Sequence, residues 1–309
     1  MPLTQLNFQP GLDTENTPTG AEGRWVDGDK IRFRKGLPQK IGGWTKFSTG
    51  YYIGVGRALE QWFSLDGGRY EAIGTDRKIY TYASGISQDI TPIRSTDALV
   101  NAISTTTSSN IITITDAGHG ASQGDFVTLS NVSATVGGLT ASVLDAEYEI
   151  LTISNTNAYT VQSSGTANAN VAPTANCTAN YQIGIGPSIQ TFGFGWGSGT
   201  WNTGTWGTAR SSSNVVLDAR LWSINNWGED LIITQKDGST YEWDTSLGMS
   251  NNRAKVIANA PTNSTLSMIS TETRHVVCLG TETAIGNTAS VDKMFIRWSD
   301  QENYNQWTP

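Results

Sequence analysis

Residues 58–84, ALEQWFSLDGGRYEAIGTDRKIYTYAS, and residues 220–245, RLWSINNWGEDLIITQKDGSTYEWDT, carry one pattern twice. Each has an apolar strand, a glycine-containing turn, a second strand (70–75; 230–234), a tight charged turn, and a third strand with aromatic residues two apart. Tyr80 and Tyr82 in the first copy answer Tyr241 and Trp243 in the second. A spacing of two puts both rings on the same face of a strand, which is the period of β-structure and not of helix. A looser third copy follows in TLSMISTETRHVVCLGTE (265–282) and, after a small-residue insertion, KMFIRWSDQENYNQWTP (293–309), with strands at 274–280 and 293–298. The second and third copies start about 45 residues apart, the length of a four-stranded propeller blade. Hairpins of alternating apolar residues on charged turns suit such a blade, because both of its faces pack on neighbours.

The first and second copies lie about 160 residues apart, and the excess has its own composition. Residues 96–180 lack tryptophan and are crowded with Thr, Ser, Ala and Asn, with short strands expected at 110–115, 125–130, 148–153 and 158–161. This reads as a small β-barrel or β-sandwich inserted between two blades, with SSGTANANVAPTANCTAN as its return linker. The expected organisation is a leader and first propeller part in 1–95, the insert in 96–180, and the propeller continuing over 181–309. Three blade-like units are countable, whereas a closed propeller uses four to eight. The chain is therefore expected to be cut short at its C-terminal side, or to be closed by another copy.

Composition agrees with an all-β fold. Of 309 residues, 33 are glycine and 15% are charged, against roughly 25% charged in an average domain. Gly, Ser, Thr and Asn favour turns over helices. The net charge of −7 argues against a nucleic-acid reader, which needs a basic footprint. Two cysteines, Cys177 and Cys278, and two histidines, His119 and His275, support neither a disulfide framework nor a zinc site. The N-terminal residues have no basic-then-apolar signal, and no apolar run reaches membrane-spanning length, so a soluble protein without a secretion signal is expected.

Three groups of residues stand out as candidate sites. In GRWVDGDKIRFRKG, residues 30–34 alternate charged and apolar, giving a strand with one basic and one buried face. Its bland reading is an exposed edge strand; its functional reading is that Arg24, Arg32 and Arg34 clamp an acidic neighbouring chain. In GFGWGSGTWNTGTWG, residues 193–207, Trp196, Trp201 and Trp206 recur every five residues, a spacing that is neither helical nor strand-like. The stretch sits where the chain re-enters the propeller, so packing at a seam or subunit interface is preferred over sugar stacking. Finally, Glu229, Asp230, Asp237, Glu242 and Asp244 are close in sequence to those rings, and glycoside hydrolysis needs two carboxylates beside aromatic platforms. Asp237-Gly238, however, reads as a type I′ hairpin turn and Asp230 as the start of a strand. His119, between two glycines, and His275, within a strand, read as structural. No nucleophile elbow or phosphate loop occurs.

Several of these segments together resemble the tail-nozzle, or packaged-DNA stabilisation, proteins of short-tailed bacteriophages. The resemblance is carried by residues 10–44, 62–82 and 294–309, and covers about two-thirds of the chain. Its specific parts are F-R-x-G-x-P-x-K-x-G-G-W at residues 33–44 and R-W-S-D-Q-E at 297–302. The inserted module is similar to small β modules found in phage tail proteins. The resemblance implies a β-propeller subunit of a hexameric ring, placed below the portal and its tail adaptor ring and adjoining tail fibres or spikes. The ring would continue the DNA channel and retain the genome until ejection, passing DNA without sequence-specific binding. It implies a virion protein made in the host bacterial cytoplasm, with no membrane insertion, no cofactor, no metal and no catalytic residues. A host-glycan-binding or depolymerising tail protein is the alternative.

Overall fold

The computed structural model describes residues 8–43, 45, 50–65, 67–184, 219, 221–250 and 252–307. Trp196, Trp201 and Trp206 lie outside the described residues, as does Trp44. The chain divides into two units, 1–47 and 48–309.

The first unit holds two small sheets. Strands β1 (Gln9–Leu12) and β2 (Arg24–Trp25) pair in parallel, and β3 (Ile31–Arg34) pairs antiparallel with β4 (Leu37–Lys40). Lys35 and Gly36 join β3 to β4 with φ of 52° and 78°. Two successive left-handed residues are what a type I′ turn demands, and they match the right-handed twist of the hairpin. The expected alternation is present, with Arg32 and Arg34 exposed. Ile31 and Phe33 are only half-buried, because two strands supply no opposing layer. Among the described residues of this unit only Ala21 is buried.

The second unit is built from a row of meanders and one larger sheet. The first meander, sheet 1, is β5 (Gly56–Phe63), β6 (Arg69–Thr75), β7 (Ile79–Ala83) and β8 (Ile86–Asp89), in chain order. The larger sheet takes in β9 (Ile93–Leu99), β10 (Ile103–Thr105), β11 (Ile111–Thr115), β12 (Phe126–Ser130), β13 (Glu147–Asn155), β14 (Ala158–Gln162), β15 (Val171–Thr174) and β16 (Cys177–Gln182). A one-turn helix, α1 (Ala141–Leu144), precedes β13. Sheet 2 is β17 (Trp222–Trp227), β18 (Asp230–Gln235), β19 (Thr240–Trp243) and β20 (Lys255–Val256). Sheet 3 is β21 (Leu266–Ile269), β22 (Val276–Leu279) and β23 (Ile296–Trp298). The fold is all-β.

Sheets 1, 2 and 3 stack face to face. Strand β18 shows why: Leu231 and Ile233 pack with Trp62, Ala72 and Ile79 of sheet 1, while Ile232 packs with Val276 and Cys278 of sheet 3. Successive side chains point to opposite faces, so a strand buried on both sides reads as one apolar run. The buried indoles of Trp62, Trp222, Trp243 and Trp307 each donate to a carbonyl, and two of these bonds cross from sheet to sheet. Trp62 Nε1 donates to Glu229 O (2.8 Å), and Trp222 Nε1 donates back to Thr75 O (2.7 Å). Gly74 makes the second crossing possible, because a Cβ there would lie 2.5 Å from Trp222 Cδ1. Glycine in a strand interior marks this kind of close approach. Among the described residues no core cluster joins sheet 3 back to sheet 1.

The eight-stranded sheet runs in the order β15-β10-β11-β14-β13-β12-β16-β9 and is open at both ends, so it is not a closed barrel. The bend is at β13. Its Glu147–Glu149 portion pairs with β12 and its Ile150–Asn155 portion with β14, with register irregularities between Ile150 and Thr152 and again before Asn155. Such irregularities bend a strand and raise its twist. The two leaves close on a core of their own, with Leu129, Ala179 and Tyr181 from one and Ile112, Tyr159 and Val161 from the other. Tyr181 donates to Asp116 Oδ2 (2.6 Å) across that core.

Candidate functional site

The basic residues expected at an interface occupy separate small sheets of the first unit. Arg32 and Arg34 share one face of the hairpin, opposite Gln39 and Leu37. Arg32 Nε donates to Gln39 Oε1 at 3.2 Å, and Arg34 is exposed. Arg24 stands on β2, where its guanidinium pairs with Asp13 at 3.4 Å. Hydrogen bonds from Asn16, helped by Arg24, hold the Asp13 carboxyl below its ordinary range.

A polar cluster that sequence reading does not find lies where sheet 1 meets the eight-stranded sheet. Lys78, in the turn between β6 and β7, is 1% exposed. Its ammonium donates to Asp89 Oδ2 at the end of β8 (2.8 Å) and to Glu147 Oε1 at the start of β13, and lies 4.2 Å from the centre of the Phe126 ring. Arg253 approaches the same two carboxylates, at 3.3 Å from Asp89 and 3.6 Å from Glu147, and donates to Thr91 O. Gln182 Nε2 donates to Glu147 and, at 3.4 Å, to Asp89. Beside it Arg77 pairs with Glu149 at 2.8 Å. Burial pushes the Asp89 carboxyl up, but Lys78 and Arg253 more than reverse this and leave it below the ordinary value. Two cations face two carboxylates here, so every charge is matched, which is how ions are kept inside a protein. Chemically the cluster is a latch between two sheets. Its only sequence signal is a lysine directly before an apolar strand, while its acidic partners stand 11 and 69 residues away.

Of the five carboxylates named for glycoside chemistry, Glu229, Asp230, Asp237 and Asp244 are engaged in local structure, whereas Glu242 Oε2 is buried with no hydrogen-bond partner among the described residues. Glu229 accepts from Leu65 N, and Asp230 from Thr245 N (3.0 Å). Asp244 caps the 3-10 turn that follows, accepting from Ser246 N at 2.8 Å. Asp237 pairs with Lys293 and accepts from Thr265 Oγ1. Its turn is not the expected type I′: Asp237 has φ of 55° but Gly238 is not left-handed, and Gly238 N donates to Gln235 O. The Asp237 N–H is drawn away to Ser264 O instead. Burial, reinforced by Asp244, Glu242 and Glu229, pushes the Asp230 carboxyl above its ordinary range.

Both histidines are structural in their surroundings. His119 is buried, with Ala121 N donating to Nδ1 (3.1 Å) and Nε2 against Asn155 O (3.2 Å), which places its proton on Nε2. His275 Nδ1 meets Ser299 O at 2.8 Å. Burial pushes both cysteine thiols up to about 11. Among the described residues no group of three His, Cys, Asp or Glu is arranged to hold a metal, and no helix is long and apolar enough to cross a membrane.

No protein-family model matches the chain, and no curated protein matches it in sequence. Among solved structures, a phage phi92 endosialidase is similar at a TM-score of 0.25 and 14% identity, over 88% of this chain and 39% of that one. This chain thus spans about two-fifths of that structure's length, and at such a score the likeness carries no argument.

Proposed function

We propose that this chain is a structural subunit of a bacteriophage tail nozzle, assembling as a hexameric ring beneath the tail adaptor and forming part of the channel that holds and releases the packaged genome. The observation that supports this reading is, among the described residues, a row of three stacked meander sheets and an N-terminal unit that carries a basic hairpin and buries only Ala21. A small two-stranded hairpin with so little core of its own gains burial when it docks on a neighbour. The charge distribution supports self-assembly. Residues 1–47 carry seven Lys or Arg against five Asp or Glu, a net of +2, whereas the rest of the chain carries −9. Arg24, Arg32 and Arg34 then meet the acidic body of an adjacent subunit. An acidic body also suits a channel wall that lets DNA slide, since it does not grip phosphates.

Electron microscopy of the recombinant chain and of tail particles tests the reading. Rings, and the chain present in the tail, are expected; a monodisperse monomer absent from tails overturns it. Arg32→Glu with Arg34→Glu is expected to abolish assembly and leave the melting temperature unchanged. The converse, intact rings with lowered melting temperature, would make the basic strand purely structural. Release of oligosaccharides from host polysaccharide, lost on replacing Asp237 or Asp244, would favour a depolymerase instead.

A further inference from the structure

Lys78 is the only buried lysine among the described residues, and its ammonium faces two carboxylates whose surroundings differ. Asp89 divides its two oxygens between different donors. Oδ2 accepts from Lys78 Nζ at 2.8 Å, while Oδ1 accepts from Thr91 N at 2.8 Å and lies 3.3 Å from the Arg253 guanidinium. Glu147 accepts from the same ammonium through Oε1 and from Gln182 Nε2 through Oε2. The Lys78 side chain is 1% exposed, Asp89 18% and Glu147 31%. The amine and the Asp89 carboxyl are therefore closed in together, and Glu147 keeps a connection to solvent.

These are the parts that an acyl transfer needs: a nucleophile in contact with a carboxyl, donors fixed on the oxygen that becomes the oxyanion, and a second carboxylate to carry protons. An amine and a carboxyl held in one place reach an effective concentration of about 10⁵ M or more, and a closed site keeps out the water that would reverse the reaction. An ion pair in such a site also stands against a desolvation cost that a neutral amide does not carry. Charge matching survives the change. Joining Lys78 to Asp89 removes one charge of each sign and leaves Arg253 facing Glu147.

We propose that Lys78 and Asp89 condense into an intramolecular amide, with Glu147 as the proton carrier. The proton shared between Nζ and Oδ2 passes to Oδ2, and the freed amine attacks Cγ of Asp89. Negative charge gathers on Oδ1, where the Thr91 N–H and Arg253 meet it. Glu147 takes a second proton from Nζ and returns it to Oδ2. The Cγ–Oδ2 bond breaks, Oδ2 leaves as water with those two protons, Oδ1 becomes the amide carbonyl, and the third proton stays on the amide nitrogen. No oxidant or co-reactant is required. Burial opposes the charge on Asp89, but Lys78 and Arg253 keep its carboxyl ionised, so the neutral pair that reacts is the minor form and the bond forms slowly after folding. The freshly folded chain carries the charged latch and the matured chain the amide. The bond ties the turn before β7 to the end of β8, where the chain leaves for the eight-stranded sheet. It is independent of any role in a tail nozzle.

Intact-mass spectrometry of the full recombinant chain, freshly purified and after storage for days at room temperature, tests the proposal. The mass is expected to fall from that of the sequence by one water. Trypsin cuts after a free lysine, so the amide should leave residues 78–94 as a single peptide, lighter by one water and giving no backbone fragments between positions 78 and 89. Lys78→Met and Glu147→Gln are each expected to keep the full mass. A wild-type chain that still has its full mass after storage overturns the proposal, whatever the variants do. So does a Lys78→Met chain that loses water, or undiminished loss in Glu147→Gln. A bond from Lys78 to Glu147 instead would join two tryptic peptides and would equally overturn the assignment to Asp89.

Discussion

Gly74→Ala is the sharpest test of how sheets 1 and 2 are joined. A Cβ at position 74 would sit 2.5 Å from Trp222 Cδ1, 2.7 Å from Cγ and 3.0 Å from Cβ. Those are ring and root atoms of a buried side chain, so the clash is not relieved by rotating a flexible tip. Nor can the indole slide, because Nε1 is held by Thr75 O at 2.7 Å, one residue beyond the clash. Overpacking of this kind costs about 1–3 kcal/mol, and a lost buried hydrogen bond adds about 1 kcal/mol. Replacing glycine returns about 0.4–1 kcal/mol through the unfolded chain. The balance is a destabilisation of about 2 kcal/mol, or a fall in melting temperature of roughly 4–8 °C for a unit of this size. Gly56→Ala, across the same strand pair, is the control, since its Cβ would meet only Ile73 Cγ2 at an ordinary 3.8 Å. Thermal unfolding followed by tryptophan fluorescence should separate the two. Equal melting temperatures for Gly74→Ala and wild type would refute the close approach of Trp222 and with it the packing of sheet 2 on sheet 1.

The polar latch gives two further expectations. Lys78→Met should destabilise the chain by about 2–3 kcal/mol, below the ~3–5 kcal/mol of a fully buried broken pair, because Arg253 still faces Asp89 and Glu147; denaturant melts measure this. Asp89 has its folded pKa depressed by Lys78 and Arg253 against the cost of burial, so its contribution is present above the unfolded value of about 3.9 and is lost as pH falls through the lower folded value. Acid titration should therefore show Asp89→Asn flattening the stability loss below about pH 4. Asp230 has the opposite sign: burial and three acidic neighbours raise its pKa, so Asp230→Asn should raise the melting temperature at pH 7 and converge with wild type in acid. Cys177 and Cys278, with thiols pushed up to about 11 by burial, should resist alkylation at pH 8 until the chain unfolds, and rapid native labelling would contradict their packing.

The hairpins of sheets 1 and 2 were legible because their information is local. The apolar run 231–233 lies between the turn signals Gly228-Glu229 and Asp237-Gly238, and it is the centre of β18. The strands expected at 110–115, 125–130, 148–153 and 158–161 correspond to β11, β12, β13 and β14, each within three residues at either end. Where the reading failed, the deciding contacts were distant or compete with a local preference. Lys78 reads as one charge in an exposed turn, yet Glu147 arrives from 69 residues away to bury it. Asp237-Gly238 reads as a type I′ turn, but Ser264, Thr265 and Lys293 engage Asp237 and leave Gly238 outside the left-handed region. The half-buried Ile31 and Phe33 show the same limit from the other side. Alternation fixes which residues share a face, but only the presence of a second layer makes that face a core.

That distinction bears on how the two parts of residues 48–309 are held. Sheets 1, 2 and 3 adhere through apolar faces and crossed indole bonds, and hydrophobic contact does not weaken with ionic strength. The eight-stranded sheet has a core that shares no residue with theirs. The described side-chain bridges from its β12 and β13 to sheet 1 are those of Arg77 and Lys78 to Glu149, Glu147 and the Phe126 ring. Of these, Arg77 and Glu149 are more than a third exposed and screened by salt, whereas Lys78 is sealed. The junction therefore depends on one buried ammonium more than on the count of charges around it. The charged latch, with each of its charges matched internally, has nothing to offer a wrong partner.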